Sequence, residues 1–255
     1  MRPTFLILCA IFILFGCSSD ETPTPMEQMP NYFPDGIGSR WIYRNSDGSQ
    51  WTREVSGEAN IEGKDYRIFK DTSPLAGTAL DFLNSTYYRV TPNAVIFTVS
   101  QQVTDYLQTE LPKAVQDEFA GLGLTVAVEP FAHPELVFLQ IPLVPNFQWD
   151  ALNIKVSGNI ILQNLVLLQI PFEAHIRVKA KVVAESPLET PAGNFEKAYR
   201  IEYQTEITHT LFSTNETIQG LQTIWFIPHV GIVKIEDKQS LKELIEYSLT
   251  QAIQE

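Results

Sequence analysis

Hydrophobic and polar residues alternate most regularly in the C-terminal third of the chain. "AHIRVKAKVVAES" (174–186) keeps a period of two for about a dozen residues, and "EKAYRIEYQTEITHTLF" (196–212) alternates back. Between them "ETPAGNF" supplies Pro191 and Gly193, the residues of a tight turn, so the two runs predict a long β-hairpin. "TIQGLQTIWFIP" and "GIVKIED" predict the next pair of strands, meeting around Pro228 to Gly231. The final "SLKELIEYSL" is ambiguous. Leu241, Leu244, Ile245 and Ser248 fit a helix, whereas Ile245, Tyr247 and Leu249 fit a strand.

Nearer the N-terminus the same period appears in shorter pieces. "YFPDGIGSRWIYRN", "QWTREVSG" and "KDYRIFK" are punctuated by Asp47-Gly48, Gly57 and Gly63, which predicts an antiparallel meander with turns at those glycines. "STYYRV", Thr91-Pro92-Asn93 and "AVIFTVS" predict a hairpin. Leu111, Val115, Phe119 and Leu122 recur at helical spacing, with Pro112 near the start and Gly121 able to terminate, which predicts a short helix around 109–120 lying on the sheet. "VFLQIPLVP" (137–145) and "VLLQIPFEA" (166–174) share Leu-Gln-Ile-Pro, and predict strands that end or bend at Pro142 and Pro171. The stretch from Ile160 to Phe172 is more apolar than a one-sided strand requires, yet too short to cross a bilayer. It is either buried on both faces or lines an apolar cavity.

The first 30 residues follow a different pattern. Arg2 is a short positive region, and Phe5 to Phe15 form an apolar stretch of 11 residues, the length of a secretory leader and about half that of a membrane-spanning helix. Leu14-Phe15-Gly16-Cys17 resembles a bacterial lipobox, which implies cleavage before Cys17 and acylation of that residue. Residues 17–30, rich in Ser, Thr, Pro and Glu, predict a flexible tether. Ser18 stands where, by the enterobacterial sorting rule, Asp would retain the protein at the inner membrane, so the resemblance implies the outer membrane. The expected organisation is a leader over 1–16, a tether over 17–30 and one β-rich domain over 31–255.

Composition narrows the chemistry. The formal charge of −12 and the lack of a Lys/Arg cluster argue against nucleic acid as a partner. Loss of residues 1–16 leaves 17 basic against 30 acidic residues, so the acyl chains rather than surface charge are expected to hold the protein on the membrane. The only cysteines are Cys9 and Cys17, which leaves the body without a thiol for a disulfide, a zinc site or a nucleophile. His133, His175, His209 and His229 are scattered, and neither a nucleophile elbow nor a nucleotide-binding loop occurs. Glu129, Glu135 and Asp150 carry no pattern that separates a catalytic pair from surface charge. No catalytic residue, metal ligand or cofactor is expected.

Several short motifs remain. Tyr32-Phe33-Pro34 followed by Gly38, Trp41 and Tyr43, then Thr190-Pro191-Ala192-Gly193-Asn194-Phe195, then Trp225-Phe226 with Pro228, Val230-Gly231 and Val233-Lys234, resemble a pattern of uncharacterised bacterial lipoproteins and periplasmic proteins. The resemblance covers roughly 31–99 and 186–249. It implies a mainly β fold, a strongly curved antiparallel sheet (half-barrel, open barrel or sandwich) with one or two short helices, akin to the half-barrels of lipoprotein carriers. It favours a strand for the last segment. Trp41, Tyr43 and Trp225 read as large fillers of the inner face.

Two functions fit a curved sheet on a lipid anchor, and the first of them is the expected one, with the second as its alternative. In one, the concave face holds a lipid or other hydrophobic small molecule, with Leu162, Leu165, Leu167 and Trp225 as the expected contacts. In the other, the interior is filled and the β surface docks an envelope protein. A cavity of several hundred cubic ångströms would favour the first.

Overall fold

The computed structural model describes residues 32–72, 85–99, 108–109, 111–118, 124–128, 134–162, 168–211, 214–238 and 240–250. The tether, Cys17, Leu165 and Leu167 therefore lie outside the described residues.

Alternation decides the architecture. The strands are β1 (Arg40–Asn45), β2 (Gln50–Ile61), β3 (Lys64–Asp71), β4 (Tyr87–Thr91), β5 (Ala94–Thr98), β6 (Leu124–Val128) and β7 (Glu135–Gln140). They continue with β8 (Gln148–Leu162), β9 (Leu168–Thr190), β10 (Gly193–Leu211), β11 (Thr214–Ile227), β12 (Gly231–Asp237) and β13 (Leu241–Ser248). A single helix, α1 (Leu111–Glu118), is described; it lies within the stretch expected to be helical and carries Pro112 in its first turn, where the missing N–H costs no helical bond. All thirteen strands belong to one open antiparallel sheet in the order β6-β8-β9-β10-β11-β12-β13-β1-β2-β3-β4-β5-β7.

Turn chemistry explains most of the connections. Glu62 and Gly63 both have positive φ, 52° and 79°, as the two-residue turn from Ile61 to Lys64 requires. Pro191 and Ala192 close the long hairpin between Thr190 and Gly193, and the Ala192 N–H donates to Leu244 O at 3.2 Å, fixing the turn to β13. Gly57 does not make a turn: it sits at a register shift inside β2, which runs on for twelve residues. Similar shifts interrupt the ladders β1–β13, β5–β7, β8–β9, β9–β10 and β11–β12, and such bulges bend strands and increase their twist.

The ambiguous last segment is a strand. β13 pairs with both β12 and β1, joining the C-terminal hairpins to the N-terminal meander, a gain in ladder hydrogen bonds that an isolated helix could not match. Pro142 follows the end of β7 as expected, but Pro171 lies inside β9 opposite Asn159. Among the described residues the pairing of β9 with β10 starts at Glu173, so Pro171 removes no ladder bond described there.

Candidate functional site

Among the described residues the chain's own side chains pack together around Phe33 on the inner face. Phe33, which precedes β1, is surrounded by five rings from five strands: Phe69, Tyr88, Phe97, Phe138 and Phe226, with centroids 5.3 to 6.4 Å away. All six side chains are at most 4% exposed. The stack continues from Phe97 to Phe138 at 4.3 Å and from Phe138 to Tyr203 at 5.8 Å. The segment carrying Phe33 is held on both sides. The Tyr88 hydroxyl donates to Pro34 O at 3.1 Å, and the His229 N–H donates to Tyr32 O at 3.0 Å.

The two ends of the sheet meet through side chains instead of a ladder. Trp149 of β8 donates its Nε1–H to Val137 O of β7 at 2.8 Å, and Tyr203 of β10 donates its hydroxyl to Phe138 O at 2.5 Å. Burial raises the Tyr203 phenol well above its ordinary range, so it stays a donor. The motifs read from the sequence also meet here. Trp41 Nε1 donates to Val230 O at 2.6 Å and the Tyr43 hydroxyl to Ile232 O at 2.8 Å. Gly231 has φ +105°, and a Cβ there would lie 3.2 Å from Trp41 Nε1, so both backbone angle and space demand glycine.

Of the expected ligand contacts, Leu162 and Trp225 lie among the described residues. Leu162 ends β8, in register with Leu124 of β6 and Leu168 of β9. Trp225 is half-buried, opposite Arg200 and Lys234, and the Lys234 ammonium lies 4.7 Å from its ring centre. Its neighbours Ile224 and Phe226 are the ones fully buried, so on a pleated strand Trp225 belongs to the opposite face from them. The pleat therefore places Trp225 away from the inner face, which it was expected to fill with Trp41 and Tyr43.

Two polar sites were not apparent from the sequence pattern. Glu135 at the start of β7 accepts from Arg89 Nη2 at 2.9 Å and Lys64 Nζ at 3.0 Å, and also from the Tyr66 hydroxyl. Burial raises its carboxyl, but the hydrogen bonds from Arg89, Tyr66 and Lys64 outweigh that and hold it at about 2. Burial and the same bond to Glu135 push Tyr66 up to about 12. This hub ties the edge strand β7 to β3 and β4 and has the character of a latch.

The second polar site is a cleft of about 420 Å³ on the outer face of β9, β10 and β11. Arg177 and Lys179 project into it from β9, Gln204 and Glu206 from β10, Gln219 and Leu221 from β11, and Lys238 from just beyond β12. The inner positions of the same stretch of β9, Ile176, Val178 and Ala180, are fully buried. The period of two is what turns Arg177 and Lys179 outward, and the cation at every second place in "RVKAK" was the available signal.

Among the described residues no group of three His, Cys, Asp or Glu side chains is placed to hold a metal ion, and no helix is long and apolar enough to cross a membrane. No protein-family model matches the chain, and no curated protein matches it. Two solved structures are similar. One, from Bacteroides fragilis and described as an exported protein with a YmcC-like fold, has 17% identity over 85% of this chain and 98% of its own, with a TM-score of 0.39. The other, from Parabacteroides distasonis and described as a lipoprotein, has 16% identity over 85% of this chain and 98% of its own, with a TM-score of 0.39.

Proposed function

We propose that this protein is a non-enzymatic bacterial envelope lipoprotein, acylated at Cys17 and anchored in the outer membrane, that works through the outer surface of its sheet by docking an envelope partner. The anchor rests on the leader and on Leu14-Phe15-Gly16-Cys17. The observation that carries the rest is Phe33. A lipid held in the concavity would need the space that this ring and its five neighbours occupy at the centre of the inner face.

Two measurements test the reading. Mass spectrometry of the protein purified from its own envelope is expected to find an acylated N-terminal Cys17, and Cys17→Ala is expected to lose both the acyl chains and membrane attachment. Lipid attachment persisting with alanine at 17 would end the anchor assignment. Native mass spectrometry of the soluble body is expected to find no bound lipid; a stoichiometric lipid that survives purification would replace docking with carriage.

A further inference from the structure

We infer that the outer cleft on β9, β10 and β11 is a binding site for a small, multiply charged oxyanion, a phosphate ester or a polycarboxylate. The inference deepens the outer-surface reading and rests on that face being the working one. The argument begins with charge. The chain has 30 acidic and 18 basic residues, so carboxylates are in surplus. Among the described residues eight cations take one within 4.0 Å: Arg40, Arg53, Lys64, Arg67, Arg89, Lys155, Lys197 and Arg200. Among the described residues the three cations of the cleft, Arg177, Lys179 and Lys238, do not, although Glu206 stands directly opposite Arg177 and Asp150 directly opposite Lys179 in the ladders; Arg44, Lys70, Lys113, Lys181 and Lys234 also take none, but those five do not share a cleft.

Geometry adds to this. Arg177 and Lys179 are two residues apart on the same face of one strand, about 6.5 Å along it, where like charges repel unless an anion sits between them. Both point into the same concavity as Lys238, which approaches from the other side of β11. The guanidinium presents paired donors to a planar or tetrahedral oxyanion, and the two ammonium groups act as point charges beside it. Gln204 and Gln219 offer amide donors to remaining oxygens, while Leu221 covers one wall. Glu206 also lines the cleft, opposite Arg177, and its charge disfavours singly charged anions, which selects for more than one negative charge. The volume, about 420 Å³, accommodates a molecule the size of pyrophosphate or citrate with its shell of contacts.

Isothermal titration of the soluble body with pyrophosphate and with citrate at low ionic strength tests the site. Flotation with phosphatidate vesicles separates a lipid headgroup from a free oxyanion as the source. Saturable binding of at least one probe is expected, weakened by added salt and reduced at least tenfold in both Arg177→Gln/Lys179→Gln and Lys238→Gln. Lys70→Gln, on β3 and outside the cleft, is expected to bind as the wild type does. Melting curves confirm that the variants are folded, and having two separate variants guards against one failing to fold. The site is overturned if none of the three probes binds the wild type at millimolar concentration, or if the folded cleft variants bind as tightly as the wild type. Neither result bears on lipid carriage, which is read from native mass spectrometry of the soluble body alone.

Discussion

The two faces of β9 and β10 are made from the same residues in alternation and behave as two different materials. On the inner face Ile176, Val178, Ala180, Val182 and Ile201 are buried, and Tyr203 reaches across to the far edge of the sheet. On the outer face the residues between them, Arg177, Lys179, Gln204 and Glu206, leave a polar cleft. One face is closed by aromatic packing and gains its free energy from excluding water. The other keeps Arg177 and Lys179 without a carboxylate within 4.0 Å among the described residues. Stability is therefore concentrated on one side of the strands and candidate chemistry on the other, and substitutions should separate along that line.

The largest expected effect is at the centre of the inner face. Phe33→Ala removes the ring that five strands share, and is expected to cost about 3 to 5 kcal/mol in denaturant unfolding. It should also open an apolar cavity that takes up a small hydrophobic probe which the wild type rejects. A folded variant with wild-type stability and no probe uptake would remove Phe33 from its central place in the comparison.

The junction between the sheet's two ends comes next. Tyr203→Phe keeps the ring stack but leaves Phe138 O without its 2.5 Å donor, at an expected cost of about 1 to 3 kcal/mol. Faster amide exchange in β7 than in β10 would show that the loss is felt at the edge strand.

Glu135→Gln probes the latch on β7. At pH 7 it is expected to destabilise by about 1 to 2 kcal/mol, reduced because a quarter of the Glu135 side chain is exposed. The wild-type carboxyl is held at about 2, below its ordinary value of 4.5. Its contribution is complete above about pH 4.5 and is lost as pH falls toward 2, because in that window the unfolded chain binds a proton that the native state does not. The stability gap between wild type and variant should narrow over the same window. A gap that stays constant from pH 7 to 2 would show that the ionised carboxylate is not what holds β7.

The smallest effect on stability belongs to the outer face. Lys179→Gln is expected to leave unfolding within about 0.5 kcal/mol of wild type, since it breaks no ion pair. A loss of more than about 1 kcal/mol would make the cleft part of the fold and erase the contrast between the faces.

Much of the local structure was legible because the period of side chains in a strand is two and turns need particular residues. The long hairpin β9–β10, the hairpin β4–β5 and the turn before β12 all sit where alternation, Pro and Gly place them. Local signals failed where two states share one pattern. Gly57 reads as a turn but forms a bulge, and Pro171, where a strand was expected to end or bend, lies inside β9. The last segment fits helix and strand equally, and only the two neighbours waiting on either side of β13 decide it.

The sequence by itself determined that this protein is mainly β, where most of its turns fall, and that the long strands carry an apolar face, because these follow from steric preferences and spacing along the chain. The tertiary structure decided what lies across from what. β7 and β8 are neighbours in sequence yet stand near opposite ends of the sheet, joined by Trp149 instead of a ladder, while Tyr203 of β10 makes a second bond to β7. Phe33 fills the inner face, and Arg177, Lys179 and Lys238 share a cleft although Lys238 is some 60 positions away. Such meetings depend on how far a twisted sheet curls and in which register its strands pair, quantities set by the summed packing of many side chains and encoded in no short stretch of residues.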